Sequence, residues 1–189
     1  MINIHNMYFY YNIFYDSIQV GGENMTKVLY PGSFDPMTKG HMNIVEQTIE
    51  LFDEIVIAIM QNPNKNSGFF TLDERMEMVK DLYHDIEKVK VVLGSGAAVD
   101  VALINDCKAI VRGLRSLSDY DYEVQLQQIN KDISNNRVNT IFLVADRDYQ
   151  FVSSSMVKEI FNLGKDVSKY VSPLVEERMI LKREGGNNE

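Results

Sequence analysis

Residues 30–41 read YPGSFDPMTKGH, and they join a short apolar run, residues 28–30, to a helical pattern that begins at about Gly40. The apolar run predicts a strand, and the prolines and glycine that follow it predict a tight loop. We therefore expect Gly40 and His41 at a helix N-terminus, where N–H groups and the helix dipole attract phosphate. For Gly40 and His41 taken alone, a plain strand-to-helix turn with a capping histidine is the simpler interpretation.

The rest of the chain repeats this alternation of apolar runs and helical patterns. Strands are predicted at residues 28–30, 55–60, 89–93, 109–111 and 140–144. Helices are predicted from about Gly40, from the capping box at Thr71, over residues 97–105, after Ser118, from Ser154 or Ser155 to near Gly164, and, as a short last helix, from Pro173. This order predicts an α/β fold, a doubly wound five-stranded parallel sheet with helices on both faces. Ligands of such sheets bind beyond the carboxyl ends of the strands, where the strand order reverses.

The composition is that of a globular protein with a small acidic surplus. The 189 residues are 45% hydrophobic and 24% charged, with a formal net charge of −8. Nucleic acid binding needs a basic face, so no nucleic acid partner is expected, whereas small anions remain possible ligands. Cys107 is the only cysteine, which excludes an internal disulfide and a cysteine-based zinc site and fits a reducing, cytoplasmic setting.

The first 24 residues differ from the rest, since they are rich in Asn, Ile, Tyr and Phe and contain no Lys or Arg. A secretory signal needs a positive start, and the polar residues within the segment interrupt it too often for a membrane span. We therefore expect a single domain over residues 25–189 and an extension over residues 1–24. Either Met25 is the natural start, or the extension is an aromatic arm that packs on a partner subunit.

Three cations follow predicted strands at the edge of the sheet where His41 is expected. Lys65 lies just beyond the second strand, and Arg112 and Arg115 flank Gly113 and Leu114 at the end of the fourth. Two such arginines can fork around phosphate oxygens, and a lysine supplies a mobile point charge. The simpler interpretations are a solvated loop lysine and arginines that pair with carboxylates of the next helix, which carries Glu123.

A serine-rich segment follows the fifth strand. Residues 149–159 read YQFVSSSMVKE, so Ser153, Ser154 and Ser155 precede a predicted helix. Serine hydroxyls and N–H groups at a helix N-terminus form a second potential cradle for anions. A simple helix cap would account for one of the three serines and would leave the other two without a role.

Together these segments resemble one family. Thr38-Lys39-Gly40-His41 is similar to the T/HxGH signature of the nucleotidyltransferase superfamily, and Thr in the first position is typical of phosphopantetheine adenylyltransferases. Phe70-Thr71-Leu72-Asp73-Glu74-Arg75, Arg112-Gly113-Leu114-Arg115 and the serine segment also resemble this family's motifs. The resemblance runs from about Lys27 to about Lys182, with Gln150 where the family usually has Ser. It implies a Rossmann-like fold.

The resemblance also implies a reaction, the transfer of AMP from ATP to 4′-phosphopantetheine. His41 would stabilise charge on the α-phosphate, and Ser33 would hydrogen-bond between the phosphates of the two substrates. Lys65 and Arg112 would orient the attacking phosphate, and Arg115 would hold the β- and γ-phosphates with the serines. The implied catalytic residues are His41, Ser33, Lys65 and Arg115.

The remaining implied contacts concern the two substrates, the metal and the assembly. The implied ATP-binding residues are Ser33, Phe34, His41, Gly113, Leu114, Arg115, Glu123, Tyr149, Gln150, Phe151, Val152, Ser153, Ser154 and Ser155. Those for 4′-phosphopantetheine are Ser33, Lys65, Arg112 and Ala98, which stands where the family usually has a larger apolar residue. Mg²⁺ would bridge the ATP phosphates without a protein cage of its own. Family members form hexamers, so a cytoplasmic homohexamer without a membrane partner is implied.

Two classes of alternative remain open at this stage. Another nucleotidyltransferase, acting on nicotinate mononucleotide or a polyol phosphate, would share the motif, but Thr38 and the Arg-Gly-Leu-Arg segment argue against it. A nucleotide-binding regulator without catalysis would usually lack His41 or one of the phosphate-binding cations, and all of these are present.

Overall fold

The computed structural model describes residues 25–61, 68–114 and 117–185, and these form a three-layer α/β fold. The strands are β1 (Lys27–Gly32), β2 (Glu54–Met60), β3 (Val89–Gly94), β4 (Ala109–Leu114) and β5 (Asn139–Val144). The helices are α1 (Lys39–Leu51), α2 (Leu72–Leu82), α3 (Ala98–Ile104), α4 (Leu117–Ile133), α5 (Ser154–Asn162) and α6 (Pro173–Gly185). The predicted alternation of strands and helices is confirmed.

The strands form one parallel sheet in the order β3-β2-β1-β4-β5. After β1 the chain moves outward through β2 to β3, and it then returns to place β4 on the other side of β1. The strand order therefore reverses between β1 and β4, which is the point where a parallel sheet leaves a crevice at its carboxyl edge.

Hydrophobic packing covers both faces of this sheet. One face packs against α1, α2, α5 and α6 through residues such as Ile44, Val79, Val157 and Val175. The opposite face packs against α3, whose Val99, Val101 and Ala102 are buried. Strands β1 and β2 are buried on both faces, which explains why β2 reads as a continuous apolar run without alternation.

Two boundaries differ from the sequence-based predictions in ways that concern the site. Strand β4 continues to Leu114, because Arg112, Gly113 and Leu114 pair in register with residues of β5. The cap of α5 is Ser153, whose hydroxyl accepts from the Met156 N–H at 3.1 Å, so the prediction of Ser154 or Ser155 was wrong. The predicted capping box at Thr71 is confirmed.

The last helix begins at Pro173 as predicted, but α6 extends over 13 residues, whereas a short helix was expected. Within the described residues, no helix has both the length and the apolarity that crossing a lipid bilayer requires.

Candidate active site

A cavity of about 250 Å³ opens at the carboxyl ends of β1 and β4, at the reversal of strand order. Seven of the residues that line it were predicted from the sequence as site residues, namely Ser33, Phe34, His41, Arg112, Gly113, Glu123 and Val152. The cavity thus collects residues from the β1–α1 loop, the end of β4, helix α4 and the segment before α5.

His41 is held by the residue that caps its own helix. The backbone N–H of Thr38 donates to Nδ1 of His41 at 3.1 Å, and Oγ1 of Thr38 lies 3.0 Å from the same nitrogen. Because a backbone N–H can only donate, Nδ1 must act as the acceptor, and in the neutral ring the proton is therefore on Nε2. The Phe34 ring packs edge-on at 5.2 Å from the His41 ring. His41 is thereby fixed as a donor through Nε2.

Gly40 is needed because other backbone approaches it closely. A Cβ atom at this position would lie 3.2 Å from the Val152 carbonyl oxygen and 3.4 Å from that of Tyr149. The missing side chain therefore lets the first turn of α1 dock against the segment that leads into α5.

Arg112 forms a bidentate ion pair inside the cavity. Its Nε donates to Oε2 of Glu123 at 2.7 Å, and its Nη2 donates to Oε1 at 2.6 Å. The two side chains are 25% and 12% exposed. The simpler interpretation, an arginine paired with a helix carboxylate, therefore describes Arg112 in this structure. The two guanidinium N–H groups that bind this carboxylate have the geometry to bind two oxygens of a phosphate as well.

The three serines before and within α5 differ in their contacts. Ser153 caps the helix, and the hydroxyl of Ser154 donates to the Pro36 carbonyl oxygen at 2.8 Å. Ser155 is exposed. Two of the three serines therefore have structural roles, since Ser153 caps α5 and Ser154 docks α5 onto the β1–α1 loop.

Known proteins resemble this chain over most of its length. The model of the cytidylyltransferase-like family matches residues 29–160. The chain is 47% identical over 155 residues to the phosphopantetheine adenylyltransferase of Heliobacterium modesticaldum, covering 82% of this chain and 91% of that protein. It is 45% identical over 148 residues to the phosphopantetheine adenylyltransferase of Finegoldia magna, covering 78% and 90% of the two chains. The chain belongs to the phosphopantetheine adenylyltransferases.

Comparison of solved structures agrees with this assignment at the level of the fold. A putative nicotinate-nucleotide adenylyltransferase from Vibrio parahaemolyticus superposes with a TM-score of 0.55 at 16% identity, over 82% of this chain and 99% of that one. The Rossmann-like fold predicted from the sequence is thus shared with a nucleotidyltransferase structure. Because the phosphopantetheine adenylyltransferases are enzymes, the protein is a nucleotidyltransferase.

The remaining predicted site residues of this family member lie elsewhere or outside the described residues. Lys65 and Arg115 lie outside them, as does the extension over residues 1–24. Ala98 is the first residue of α3, is partly buried and packs against the core on the opposite face of the sheet, and it does not line the cavity. Leu114 ends β4 without lining the cavity.

Tyr149, Gln150 and Phe151 form the turn that precedes α5. Gln150 contacts the Ala145 carbonyl oxygen through Nε2 at 3.5 Å, and the Phe151 side chain is 82% exposed. None of these three residues lines the cavity, whereas Val152, which follows them, does.

Sequence reasoning did not single out five lining residues, which are Tyr30, Pro31, Gly32, Ile44 and Ala145. The available signal was positional. Tyr30, Pro31 and Gly32 end the first strand, and Ile44 follows His41 by three residues and so shares its helix face.

Asp35 was also missed, although it lies in the loop that carries Ser33 and His41. Asp35 is only 6% exposed. Its carboxylate accepts from Lys158 Nζ at 2.9 Å and from the N–H groups of Phe69 and Phe70 at 2.9 and 2.8 Å. Burial by itself raises the pKa of this carboxyl, but the Lys158 ammonium and the two N–H groups outweigh it and hold the pKa below its ordinary value.

Proposed function

We propose that this protein transfers the adenylyl group of ATP to 4′-phosphopantetheine and releases dephospho-coenzyme A and pyrophosphate. The observation that carries the proposal is the 47% identity between this chain and a relative named for this activity, over 91% of that relative. The cavity at the reversal of strand order supports it, because it places a histidine donor, an arginine fork and a helix N-terminus together.

The chemistry is an in-line displacement. An oxygen of the 4′-phosphate attacks the α-phosphorus of ATP, and the bond from that phosphorus to the β-phosphate oxygen breaks. The electron pair of this bond leaves with pyrophosphate. Catalysis of such a reaction consists mainly of positioning the phosphates and stabilising charge on them.

His41 supplies that stabilisation in this proposal. Its Nε2 proton, set by the Thr38 N–H on the other ring nitrogen, is donated to an oxygen of the α-phosphate as charge develops there. The N-terminus of α1 adds N–H groups and a favourable dipole at the same position. Ser33, at the start of the β1–α1 loop, hydrogen-bonds between the phosphates of the two substrates.

Arg112 orients the attacking phosphate by an exchange of partners. Its two donors now bind the Glu123 carboxylate, and a phosphate presents two oxygens to the same fork. We propose that the 4′-phosphate replaces Glu123 on Arg112, after which Glu123 helps to place the nucleotide. Lys65 assists at the attacking phosphate, and Arg115 binds the β- and γ-phosphates with the serine segment.

ATP enters as its magnesium complex in this proposal. Among residues 25–61, 68–114 and 117–185, no cluster of three or more His, Cys, Asp or Glu side chains could hold a metal ion. We propose that the ion belongs to the nucleotide substrate and is held by its phosphates and by water.

The assembly and the setting stay part of the proposal as well. We propose that residues 25–189 form the catalytic domain, that the protein works in the cytoplasm, and that it is a homohexamer as implied by the family resemblance. Sedimentation of the purified protein measures the number of subunits directly.

Pyrophosphate release is the measurement that tests the proposed reaction. The purified protein is incubated with ATP and Mg²⁺ and with either 4′-phosphopantetheine or nicotinate mononucleotide. We expect release with 4′-phosphopantetheine alone, with dephospho-coenzyme A as the second product. Release with nicotinate mononucleotide instead would reject this acceptor and would assign the site to another branch of the superfamily.

A further inference from the structure

Lys158 and Asp35 form an ion pair that none of the proposed catalytic steps uses. Lys158 lies in α5, one turn beyond Ser154, and Asp35 lies in the β1–α1 loop between Ser33 and His41. The ammonium and the carboxylate are 2.9 Å apart, and their side chains are 28% and 9% exposed. The pair thus joins two segments that are 123 residues apart in sequence.

The β1–α1 loop is fixed at several further points. Ser154 donates to the Pro36 carbonyl oxygen at 2.8 Å, and Arg75 donates through Nη1 to the Ser33 carbonyl oxygen at 2.8 Å. The Asp35 carboxylate also accepts from two backbone N–H groups just before α2. With Lys158 and these two N–H groups, the carboxylate is bound on both oxygens.

The two segments joined by Lys158 and Asp35 are the two that would hold the triphosphate. The β1–α1 loop carries Ser33 and leads to His41, and α5 begins with the serine segment. A reaction that depends on positioning loses rate when one of these groups shifts by about 1 Å, even if every group is still present. A link between the two segments would therefore act by setting the distance between His41 and Ser153.

We propose that Lys158 is a positioning residue, which acts through Asp35 to set the distance between His41 and the N-terminus of α5. Its charge is matched by Asp35, so it contributes a link between the two segments and not a further cation for the phosphates. This inference rests on the proposed adenylyl transfer.

A second ion pair in the same protein provides a matched control. Lys182 of α6 binds Glu74 of α2 at 2.7 Å, with side chains 38% and 37% exposed. This pair also joins two distant elements through a lysine and a carboxylate, but it lies at a separate groove between α2 and α6 and does not line the cavity.

The experiment compares K158M, K158R, D35N, the double variant K158M/D35N and the control K182M. For K158M we expect kcat to fall roughly ten- to a hundredfold, with the KM for ATP nearly unchanged, because the ligand groups remain but are misplaced. K158R keeps a cation at this position and should recover most of the rate. K182M should keep the wild-type kcat, and its melting temperature should fall less than that of K158M, because its ion pair is more exposed.

The double variant separates positioning from direct phosphate binding. If Lys158 acts only through Asp35, D35N also lowers kcat, and K158M/D35N is no worse than the more severe single variant. If Lys158 binds a phosphate directly, K158M raises the KM for ATP and the two losses multiply. That second pattern, or an unchanged kcat in K158M, would overturn the inference.

A crystal structure of K158M gives a readout that does not depend on turnover. We expect the separation of His41 from Ser153 to differ from that in the wild-type protein, and an unchanged separation would also overturn the inference. The wild-type assay with ATP and 4′-phosphopantetheine is performed first. A lack of pyrophosphate release there would reject the proposed function, whereas the crystallographic comparison would still decide the role of Lys158.

Discussion

The backbone N–H of Thr38 determines which nitrogen of the His41 ring carries the proton, because this N–H can only donate. The Thr38 N–H donates to Nδ1, so a ring protonated on Nδ1 would face another donor at this position. The Thr38 hydroxyl, 3.0 Å away, supports the same tautomer because it can donate to Nδ1 as well. The side chain is thereby organised as a donor before any substrate binds, which avoids reorganisation during the reaction.

Replacing His41 with alanine tests this role at the residue scale. H41A should lower kcat by about a hundredfold or more while ATP binding changes little, since the ring acts on charge that develops only in the transition state. Steady-state kinetics and ATP titration measure the two quantities separately. T38A is the matched control, because it removes the hydroxyl but keeps the N–H that sets the tautomer, and its loss should be much smaller. Unchanged turnover in H41A would remove His41 from the mechanism.

Sequence reasoning identified most of these residues but not how they pair. His41, Arg112 and Glu123 were found because they belong to motifs at predicted strand ends, where a parallel sheet concentrates its ligand contacts. The pairing of Arg112 with Glu123 depends on how α4 packs over β4, which periodicity does not specify. The link from Asp35 to Lys158 was missed for the same reason, since no local signal connects a loop residue with a helix residue more than a hundred positions later.

At the scale of elements, the buried side-chain amide of Asn43 joins α1 to the turn after β5, an edge strand of the sheet. Asn43, which is 5% exposed, donates through Nδ2 to Oδ2 of Asp146 at 2.7 Å and accepts through Oδ1 from the Asp146 N–H at 2.9 Å. Asp146 lies just after β5, in the turn that leads to the serine segment. The helix that carries His41 is therefore connected to that turn by a reciprocal pair of hydrogen bonds.

Truncation of this amide should destabilise the protein. N43A leaves the Asp146 N–H without its acceptor in a partly buried position, at an expected cost of about 1–3 kcal/mol in the free energy of unfolding. Q47A serves as the control, since Gln47 also makes two hydrogen bonds, to Asn43 and to the Val144 carbonyl oxygen, but in a more exposed position. Its cost should be about 1 kcal/mol or less. Urea unfolding measures both, and equal losses would show that burial of the Asn43 amide contributes nothing extra.

The cap of α5 shows why an element's end can be harder to predict than its existence. Three consecutive serines offer equivalent hydroxyls, so the sequence predicts a cap without specifying which serine provides it. The structure selects Ser153 because Ser154 is engaged with Pro36 in the neighbouring loop. A tertiary contact thus decides the register of a local motif.

At the scale of the whole molecule, the sequence predicted the class of sheet but not the order of its strands. Alternation of strands and helices implies parallel pairing, since each crossover returns the chain to the same edge. The reversal between β1 and β4 depends on which face each helix covers. Helices α1 and α2 pack on one face and α3 on the other, and this division is visible only in the assembled core.

The core also indicates which part of the chain the catalytic domain needs. Strand β1 begins at Lys27, and the buried core starts at Val28 among the residues that the structure describes. The cavity lies at the carboxyl end of β1, whereas Met25 and Thr26 precede its amino end. Met25, the first residue that the structure describes, therefore lies at the end of the sheet opposite the cavity.

A chain that starts at Met25 should fold and react as the full chain does. We expect its kcat to agree within about twofold and its melting temperature within about 2 °C, because it keeps every core residue that the structure describes. A chain that starts at Pro31 is the control. It lacks Val28, Leu29 and Tyr30 of the central strand and should fail to fold, since three buried side chains and their ladder hydrogen bonds are lost. Calorimetry, pyrophosphate release and sedimentation are measured on all three proteins. If the Met25 chain kept its fold but lost activity or changed its number of subunits, residues 1–24 would be an arm of the assembly, as the second interpretation of the extension requires.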